Sequence, residues 1–153
     1  MDGYLKAKLI GLIEAVDPSD QVLGIMLIGA TEWVDRVVPI VIGAAETLSI
    51  KKGMGKVKFP RPLSHDLFIE VIEALGAMIE KITIDAIVDN TFTATVYVKD
   101  RDGKIHTFDS RPSDAVALAV RVNAPIYIAE NLASHAEDIR KYIPPPSGKV
   151  TEE

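Results

Sequence analysis

The feature that most restricts the fold of this chain is an order of elements that occurs twice, three strands followed by a helix. In the second half, apolar and polar residues alternate through 82–88 and again through 92–98, which is typical of strands with one buried face. Asp100-Arg101-Asp102-Gly103 is a strong hairpin signal, and it leads to a third strand over 105–108. The pattern therefore predicts a three-stranded meander directly before the next helix.

The first half repeats this order with less regular patterning. Strands are predicted over 4–16, 22–28 and 36–42, and a short helix over 44–52. Pro39 has no N–H to donate to a ladder, so it should lie at a sheet edge or a bulge. Together the halves predict an α+β fold, a single compact domain with mixed or antiparallel sheets and helices packed on them. Sequence identity between the halves is negligible, so an internal duplication is a hypothesis.

The helix after the second meander begins in a polar segment, Asp109 to Asp114. Pro112 fits the first helical position, which puts Arg111 at the N-cap and Asp114 in the first turn, near the positive end of the helix dipole. The residues that follow are apolar on most faces, as in a buried helix. Glu46 occupies the position of the first-half helix that corresponds to Asp114.

A further helix is predicted between the two halves. Ser64 is a good N-cap for it, and Asp66 lies in its first turn. Its predicted core stripe consists of Leu67, Phe68, Val71, Ile72 and Leu75.

The C-terminal part is predicted as a short strand over 125–128 and a last helix from Asn131 or Ser134 to Tyr142. The proline-rich residues that follow end the fold. We therefore expect a domain over 1–143 and a disordered polar tail over 144–153.

Composition excludes several classes of site. The chain has no cysteine, which excludes disulfides, zinc–thiolate sites and cysteine nucleophiles. No apolar run approaches the roughly 20 residues that span a bilayer, and the first residues lack a signal-peptide pattern. We therefore expect a cytoplasmic protein that does not bind membranes. The net charge of −5 argues against binding of nucleic acid by the whole surface but permits a local basic patch.

Three polar clusters could carry chemistry, although none matches a standard catalytic motif. The first is the segment from Asp109 to Asp114. In the second, His65 and Asp66 follow the proline-flanked Arg61, and histidine is the side chain most able to move protons near neutral pH. The third is a run of cations that could hold phosphates, and it consists of Lys51, Lys52, Lys56, Lys58 and Arg61.

Each cluster also has a structural interpretation. Asp114 can complement the helix dipole while Asp109 pairs with Arg111, since structural networks contain the same residue types. Ser64 and Asp66 are ordinary capping residues, and a lysine-rich run is typical of a solvated loop.

Several ordered motifs resemble those of the bifunctional nuclease domain family. They are the segments 38–46, 59–67, 89–92, 109–115 and 124–128. The resemblance covers roughly Leu5 to Glu130, and Ser64 stands where the family often has threonine. It implies a compact α+β fold that assembles as a homo-oligomer, a dimer or a trimer, and nuclease activity on both DNA and RNA, as in plant members.

The residues alone indicate a polar site that is compatible with phosphate. Together with the nuclease activity that the resemblance implies, they lead us to expect phosphodiester hydrolysis. Mg²⁺ or Mn²⁺, held by some of the acids Glu46, Asp66, Asp109 and Asp114, would polarise the phosphoryl group and activate water, because all-oxygen ligands suit these ions. His65 would be the general base or acid. The expected catalytic residues are Glu46, His65, Asp66 and Asp114, the metal ligands are Glu46, Asp109 and Asp114, and the phosphate-binding residues are Lys56, Lys58, Arg61, Arg111 and Ser113.

The alternative is a non-catalytic oligomeric module, with a binding or regulatory role, that uses the same pocket for a phosphate-bearing ligand or a protein partner. Convergence of Glu46, His65, Asp109 and Asp114 in one cleft would favour catalysis. If these side chains are instead scattered, or all paired with other residues of the chain, the non-catalytic binding module is favoured.

Overall fold

The structure is a computed structural model that describes residues 1–144, and it is built around one mixed sheet of eight strands. The strand order is β6-β5-β4-β7-β1-β2-β3-β8. The strands are β1 (Tyr4–Val16), β2 (Val22–Ala30), β3 (Arg36–Ile42), β4 (Met78–Val88), β5 (Thr91–Lys99), β6 (Ile105–Ser110), β7 (Ile126–Ala129) and β8 (Glu137–Asp138). The helices are α1 (Ala44–Gly53), α2 (Ser64–Ala74) and α3 (Pro112–Val122). The predicted α+β class is confirmed.

The two halves have the same internal strand order. β1, β2 and β3 form one antiparallel meander and β4, β5 and β6 form the other, and each is the start of a unit that continues into a helix, α1 or α3. β7 lies between the meanders, antiparallel to β1 and parallel to β4. Glu46 and Asp114 are each the third residue of their helix. The matching order is consistent with an internal duplication, which stays a hypothesis.

Pro39 lies where the sequence predicts it, at a sheet edge. It pairs with Leu27 of β2 on one side. On the other side, β8 pairs with β3 through Arg36 and Val37. The outer edge of β3 at Pro39 therefore has no strand partner within the described residues, and the missing N–H leaves no gap in a ladder.

Helix α3 is buried on most faces, as predicted, because it packs against β4 and β5 and also contacts both other helices. Arg111 is its N-cap and Pro112 its first residue. Its buried residues are Pro112, Ser113, Ala115, Val116, Ala117, Leu118 and Ala119. They meet the apolar face of the sheet in one core, and each large side chain there contributes about 1.5–3 kcal/mol by leaving water.

The predicted core stripe of α2 is wrong for four of its five residues. Leu67, Phe68, Val71 and Leu75 are 41–67% exposed. Ile69 is the buried residue of the helix instead, and Ile72 packs at the margin of the core. The periodic pattern identifies an apolar stripe correctly, but it cannot tell whether the stripe faces the core of its own chain or remains available to another molecule.

The start of α2 also differs from the prediction. Leu63 is the N-cap and Ser64 is the first helical residue, without a side-chain capping bond. The first-turn acid supplies the cap, since Asp66 Oδ2 accepts a hydrogen bond of 2.8 Å from the Leu63 N–H.

The predicted C-terminal helix is not formed. Two 3₁₀ segments, Glu130–His135 and Ile139–Lys141, flank the short strand β8 instead. The backbone N–H and C=O groups of β8 form hydrogen bonds with the edge strand β3. These bonds replace the internal hydrogen bonds of a short helix, which is only marginally stable by itself. The tail predicted from residue 144 lies, apart from Pro144, outside the described residues. Within residues 1–144, no helix has the length and apolar character needed to cross a membrane.

Candidate active site

The N-termini of all three helices meet at one cleft of about 320 Å³, which we call the helix-terminus cleft. It is lined by Ala45, Glu46, Ser49, Leu63, Ser64, His65, Arg111 and Asp114. Each helix N-terminus carries a partial positive charge and unpaired N–H groups, so such an end attracts anions. Three of them at one opening make the cleft suited to a phosphate group.

Arg111 connects the first turns of α1 and α3 across this cleft. Its Nε and Nη2 donate to Asp114 at 2.9 and 3.1 Å, and its Nη1 donates to Glu46 Oε2 at 3.3 Å. The hydrogen bond to Asp114 is the main cause that raises the pKa of Arg111. A guanidinium has five N–H donors, so two remain for a ligand. The side chain is 64% exposed and can therefore be reached from solvent.

His65 lies between α1 and α3, with both ring nitrogens hydrogen-bonded. Nδ1 is 2.6 Å from Ser49 Oγ, and Nε2 is 2.9 Å from Asp114 Oδ1. A carboxylate can only accept, so in the neutral ring Nε2 carries the proton and Nδ1 is the acceptor. Ser49 must then donate its hydroxyl hydrogen to Nδ1, and the lone pairs of its oxygen accept from Arg121 Nη2 at 3.1 Å. The tautomer of His65 is thus fixed from both sides.

Asp114 is the acid at the centre of the cleft. Burial, the largest single influence, raises its pKa, but the hydrogen bonds from Arg111 and His65 together lower the pKa below its usual value. The carboxylate is therefore ionised at neutral pH. It can stabilise positive charge that develops on the imidazole.

Asp66 is used in structural pairing. Its oxygens accept from Arg121 Nε at 2.7 Å, from Lys52 Nζ at 2.7 Å and from the Leu63 N–H. Burial opposes the charged form, yet these hydrogen bonds keep the pKa of Asp66 far below its usual value. A carboxylate held this way has little capacity to take up a proton, and we assign it a structural role.

The expected metal ligands do not form a metal-binding group. Among residues 1–144, no three His, Cys, Asp or Glu side chains lie close enough together to hold one ion. The guanidinium of Arg111 bridges Glu46 and Asp114. Asp109, in β6, borders a neighbouring cleft that His65 and Asp114 also line, but it does not line the helix-terminus cleft. These acids do not fit the expected Mg²⁺ or Mn²⁺ site, because the guanidinium lies between two of them.

Comparison with known proteins identifies the family. The model of the bifunctional nuclease domain matches residues 26–140, which is well over half of the chain. The chain belongs to the bifunctional nuclease domain family. The resemblance seen in the sequence is thereby confirmed.

Relatives of this chain include both uncharacterised and named proteins. An uncharacterised protein of Mycobacterium tuberculosis is 40% identical over 102 residues, which is 67% of this chain and 60% of that protein. Bifunctional nuclease 2 of Oryza sativa subsp. japonica is 27% identical over 72% of this chain and 34% of its own length. Bifunctional nuclease 2 of Arabidopsis thaliana is 26% identical over 62% of this chain and 30% of its own length. The matched region is thus about a third of each plant protein.

The basic run of residues 51–61 is divided between two environments. Lys51 pairs with Glu14, and Lys52 pairs with Asp66. The expected phosphate-binding residues Lys56, Lys58 and Arg61 are exposed on the connector before α2, and none of them lines the helix-terminus cleft. Ser113 is buried in the first turn of α3 and borders another cleft, of about 580 Å³, which Glu46 and Arg111 also line.

Sequence reasoning missed Ser49 and Arg121, which hold His65 and Asp66 in place. Arg121 could have been found, because a single arginine in the last turn of an otherwise buried helix needs a carboxylate partner. Ser49 gave no comparable signal. Of the predicted site residues, the structure brings together Glu46, His65 and Asp114 around Arg111.

Proposed function

We propose that this protein hydrolyses phosphodiester bonds of DNA or RNA at the helix-terminus cleft. The observation that supports it most is the position of the His65–Asp114 pair and the exposed Arg111 where three helix N-termini meet. Such a cleft combines attraction for a phosphate with groups that can move protons. Family membership and the names of the plant relatives point the same way.

In the proposed reaction, Arg111 binds the non-bridging phosphate oxygens through its two remaining N–H donors. As the attacking water forms its bond to phosphorus, it passes a proton to Ser49 Oγ, the Ser49 hydroxyl proton passes to His65 Nδ1, and the Asp114 carboxylate stabilises the imidazolium that results. The bond from phosphorus to the sugar oxygen breaks, and the proton returns to that oxygen through the same hydroxyl.

The direct test is cleavage of single- and double-stranded oligonucleotides by purified protein, with and without EDTA. For Arg111→Ala we expect cleavage about 10- to 150-fold slower, because charge-assisted hydrogen bonds are worth about 1.5–3 kcal/mol. Arg101→Ala, an exposed arginine of the β5–β6 hairpin, is the matched control and should retain full activity.

Equal cleavage by the wild type and Arg111→Ala would contradict the proposal, because a contaminating nuclease behaves in that way. Cleavage that persists in EDTA is expected from the acids as they are paired in the structure. Cleavage that EDTA abolishes would instead support the Mg²⁺ or Mn²⁺ predicted from the sequence.

The second candidate function is a non-catalytic binding or regulatory module for a phosphate-bearing ligand or a protein partner. The observation that favours it is internal pairing, since both nitrogens of His65 and both oxygens of Asp114 have partners within the chain. Oligonucleotide binding without cleavage under any of the assay conditions would support this alternative.

We also propose that the protein is a homo-oligomer that packs through the exposed stripe of α2, formed by Leu67, Val71 and Leu75. These residues lie at i, i+4 and i+8 and so form one continuous apolar surface, which is typical of an interface. For Val71→Glu we expect the mass in solution, measured by light scattering, to fall from a dimer or trimer to a monomer.

The matched control for this prediction is Glu73→Gln, on the polar side of the same helix, which should leave the mass unchanged. A wild-type protein that is monomeric at every concentration would contradict the interface. The cytoplasmic location expected from the sequence stays a prediction.

A further inference from the structure

A different cleft, of about 410 Å³, lies beside the helix-terminus cleft, between α2 and the edge strand β6. We call it the apolar cleft. Val96 and Leu118 come from the core, and Phe68 and Phe108 come from the two elements on either side. Its volume is in the range of small-molecule sites, which are mostly apolar with a few polar groups at the margin.

The two phenylalanine side chains at this cleft are 41% and 53% exposed. Phe68 lies on α2 and Phe108 on the outermost strand, and both are among the exposed large apolar residues. Neither ring stacks on another aromatic ring in residues 1–144, where the aromatic pair is Phe92 with His135. Two free ring faces beside one cavity fit a flat, uncharged aromatic group.

The charges of the two clefts indicate what else such a ligand carries. No lysine or arginine lines the apolar cleft, whereas Asp109 and Asp114 do, so an anionic group is disfavoured there. Arg111 and the helix N-termini favour an anion in the helix-terminus cleft. The two clefts share Ser64, His65 and Asp114. A ligand that fills both is neutral and aromatic at one end, anionic at the other, and passes over the His65–Asp114 pair.

We infer that the apolar cleft is a nucleobase subsite, which stacks an unpaired base on Phe68 and Phe108 and sets the adjoining phosphate against Arg111. This inference rests on the proposed function and adds the class of substrate. The faces of a base are covered by its neighbours in a duplex, so the subsite requires a single-stranded or unstacked nucleotide. Ser64 and Ser110 provide hydroxyl groups at the margin of the cleft for the edge of the base.

The test is binding of a labelled single-stranded oligonucleotide, measured by fluorescence anisotropy with non-hydrolysable phosphorothioate linkages. For Phe68→Ala and for Phe108→Ala we expect binding roughly 5- to 150-fold weaker, the effect of removing a ring on which a base stacks. Phe108→Trp keeps an aromatic face and should bind as tightly as the wild type. Val34→Ala, an exposed apolar residue of the β2–β3 loop, is the matched control.

An abasic strand of the same length and a duplex of the same sequence complete the experiment. We expect both to bind the wild type more weakly than the single strand does, and to be insensitive to either phenylalanine substitution. Equal affinity for the abasic and the normal strand would overturn the inference. It would also be overturned if Phe68→Ala changed the mass in solution but not the affinity, because the cleft would then be a contact between copies of the chain.

Failure of the subsite and failure of the proposed function give different results. Base-dependent binding without any cleavage of unmodified strands would leave the subsite in place and contradict the nuclease proposal. The opposite result is also distinguishable. If cleavage depends on Arg111 but has the same rate in the phenylalanine variants and on duplexes and single strands, the nuclease proposal stands and the subsite is contradicted.

Discussion

Replacement of His65 by alanine is expected to slow phosphodiester cleavage by about 10²–10⁴-fold, the usual contribution of a positioned general acid or base. His65 is the imidazole at the helix-terminus cleft, and its hydrogen bonds to Ser49 and Asp114 fix both its orientation and its tautomer. Alanine removes the proton carrier and leaves Asp114 paired with Arg111 alone. Initial rates on a fluorogenic oligonucleotide measure the effect.

The chain contains a matched control for this experiment. His106 also pairs with an aspartate through Nε2, at 2.9 Å from Asp100 Oδ2, but it does so at the β5–β6 hairpin. His106→Ala should therefore retain the wild-type rate. Thermal unfolding of both variants separates lost catalysis from lost structure, and a His65→Ala protein that is folded and cleaves at the wild-type rate would contradict the assignment.

Replacement of Asp66 by alanine is expected to lower the free energy of unfolding by about 3–5 kcal/mol, the effect of breaking a buried ion pair from one side. The destabilisation arises mainly at Arg121, because its side chain is only 6% exposed and its charge would lose its carboxylate partner. Lys52 and the Leu63 N–H would lose an acceptor as well. Urea denaturation monitored by circular dichroism measures the change.

A surface ion pair provides the contrast for Asp66. Asp138 bonds Arg140 with similarly short distances, but the two side chains are 39% and 64% exposed. Screening and side-chain entropy make such pairs weak, so Asp138→Ala should destabilise the protein far less. Equal destabilisation by the two substitutions would contradict the structural role assigned to Asp66.

The same carboxylate gives stability a defined dependence on pH. The pKa of Asp66 is lower in the folded chain than its ordinary value of 3.8, so the folded state favours the ionised form. Its stabilisation is complete above that ordinary value and is lost progressively as the pH falls below it. The acid-induced decrease in unfolding free energy should be smaller in Asp66→Asn than in the wild type.

Local signals account for much of the agreement between sequence and structure. The alternation over 82–88 and 92–98 and the turn at residues 100–103 act within a few residues, so they identify the second meander. Pro112 defines the start of α3 in the same way, because proline is tolerated in few other helical positions.

The rest depends on packing between elements far apart in the sequence. His65 and Asp114 belong to different predicted clusters, and they become one pair because α2 lies against α3. Ser49 enters the same network from α1, which no spacing in the sequence indicates. The sequence predicts that the stripe on α2 is buried, yet most of it is exposed, because apolar periodicity is the same whether a helix packs within its chain or against another molecule.

The position of β7 has a consequence for how the chain reaches this fold during synthesis. β7 is the central link between the two meanders, yet it is made after both of them, from residues 126–129. During synthesis two three-stranded units therefore emerge first, and their inner edges stay open until residues 126–129 follow. Those edges, on β1 and β4, are the places where nascent chains could pair with one another, and a chain that stops before Ile126 would keep them exposed.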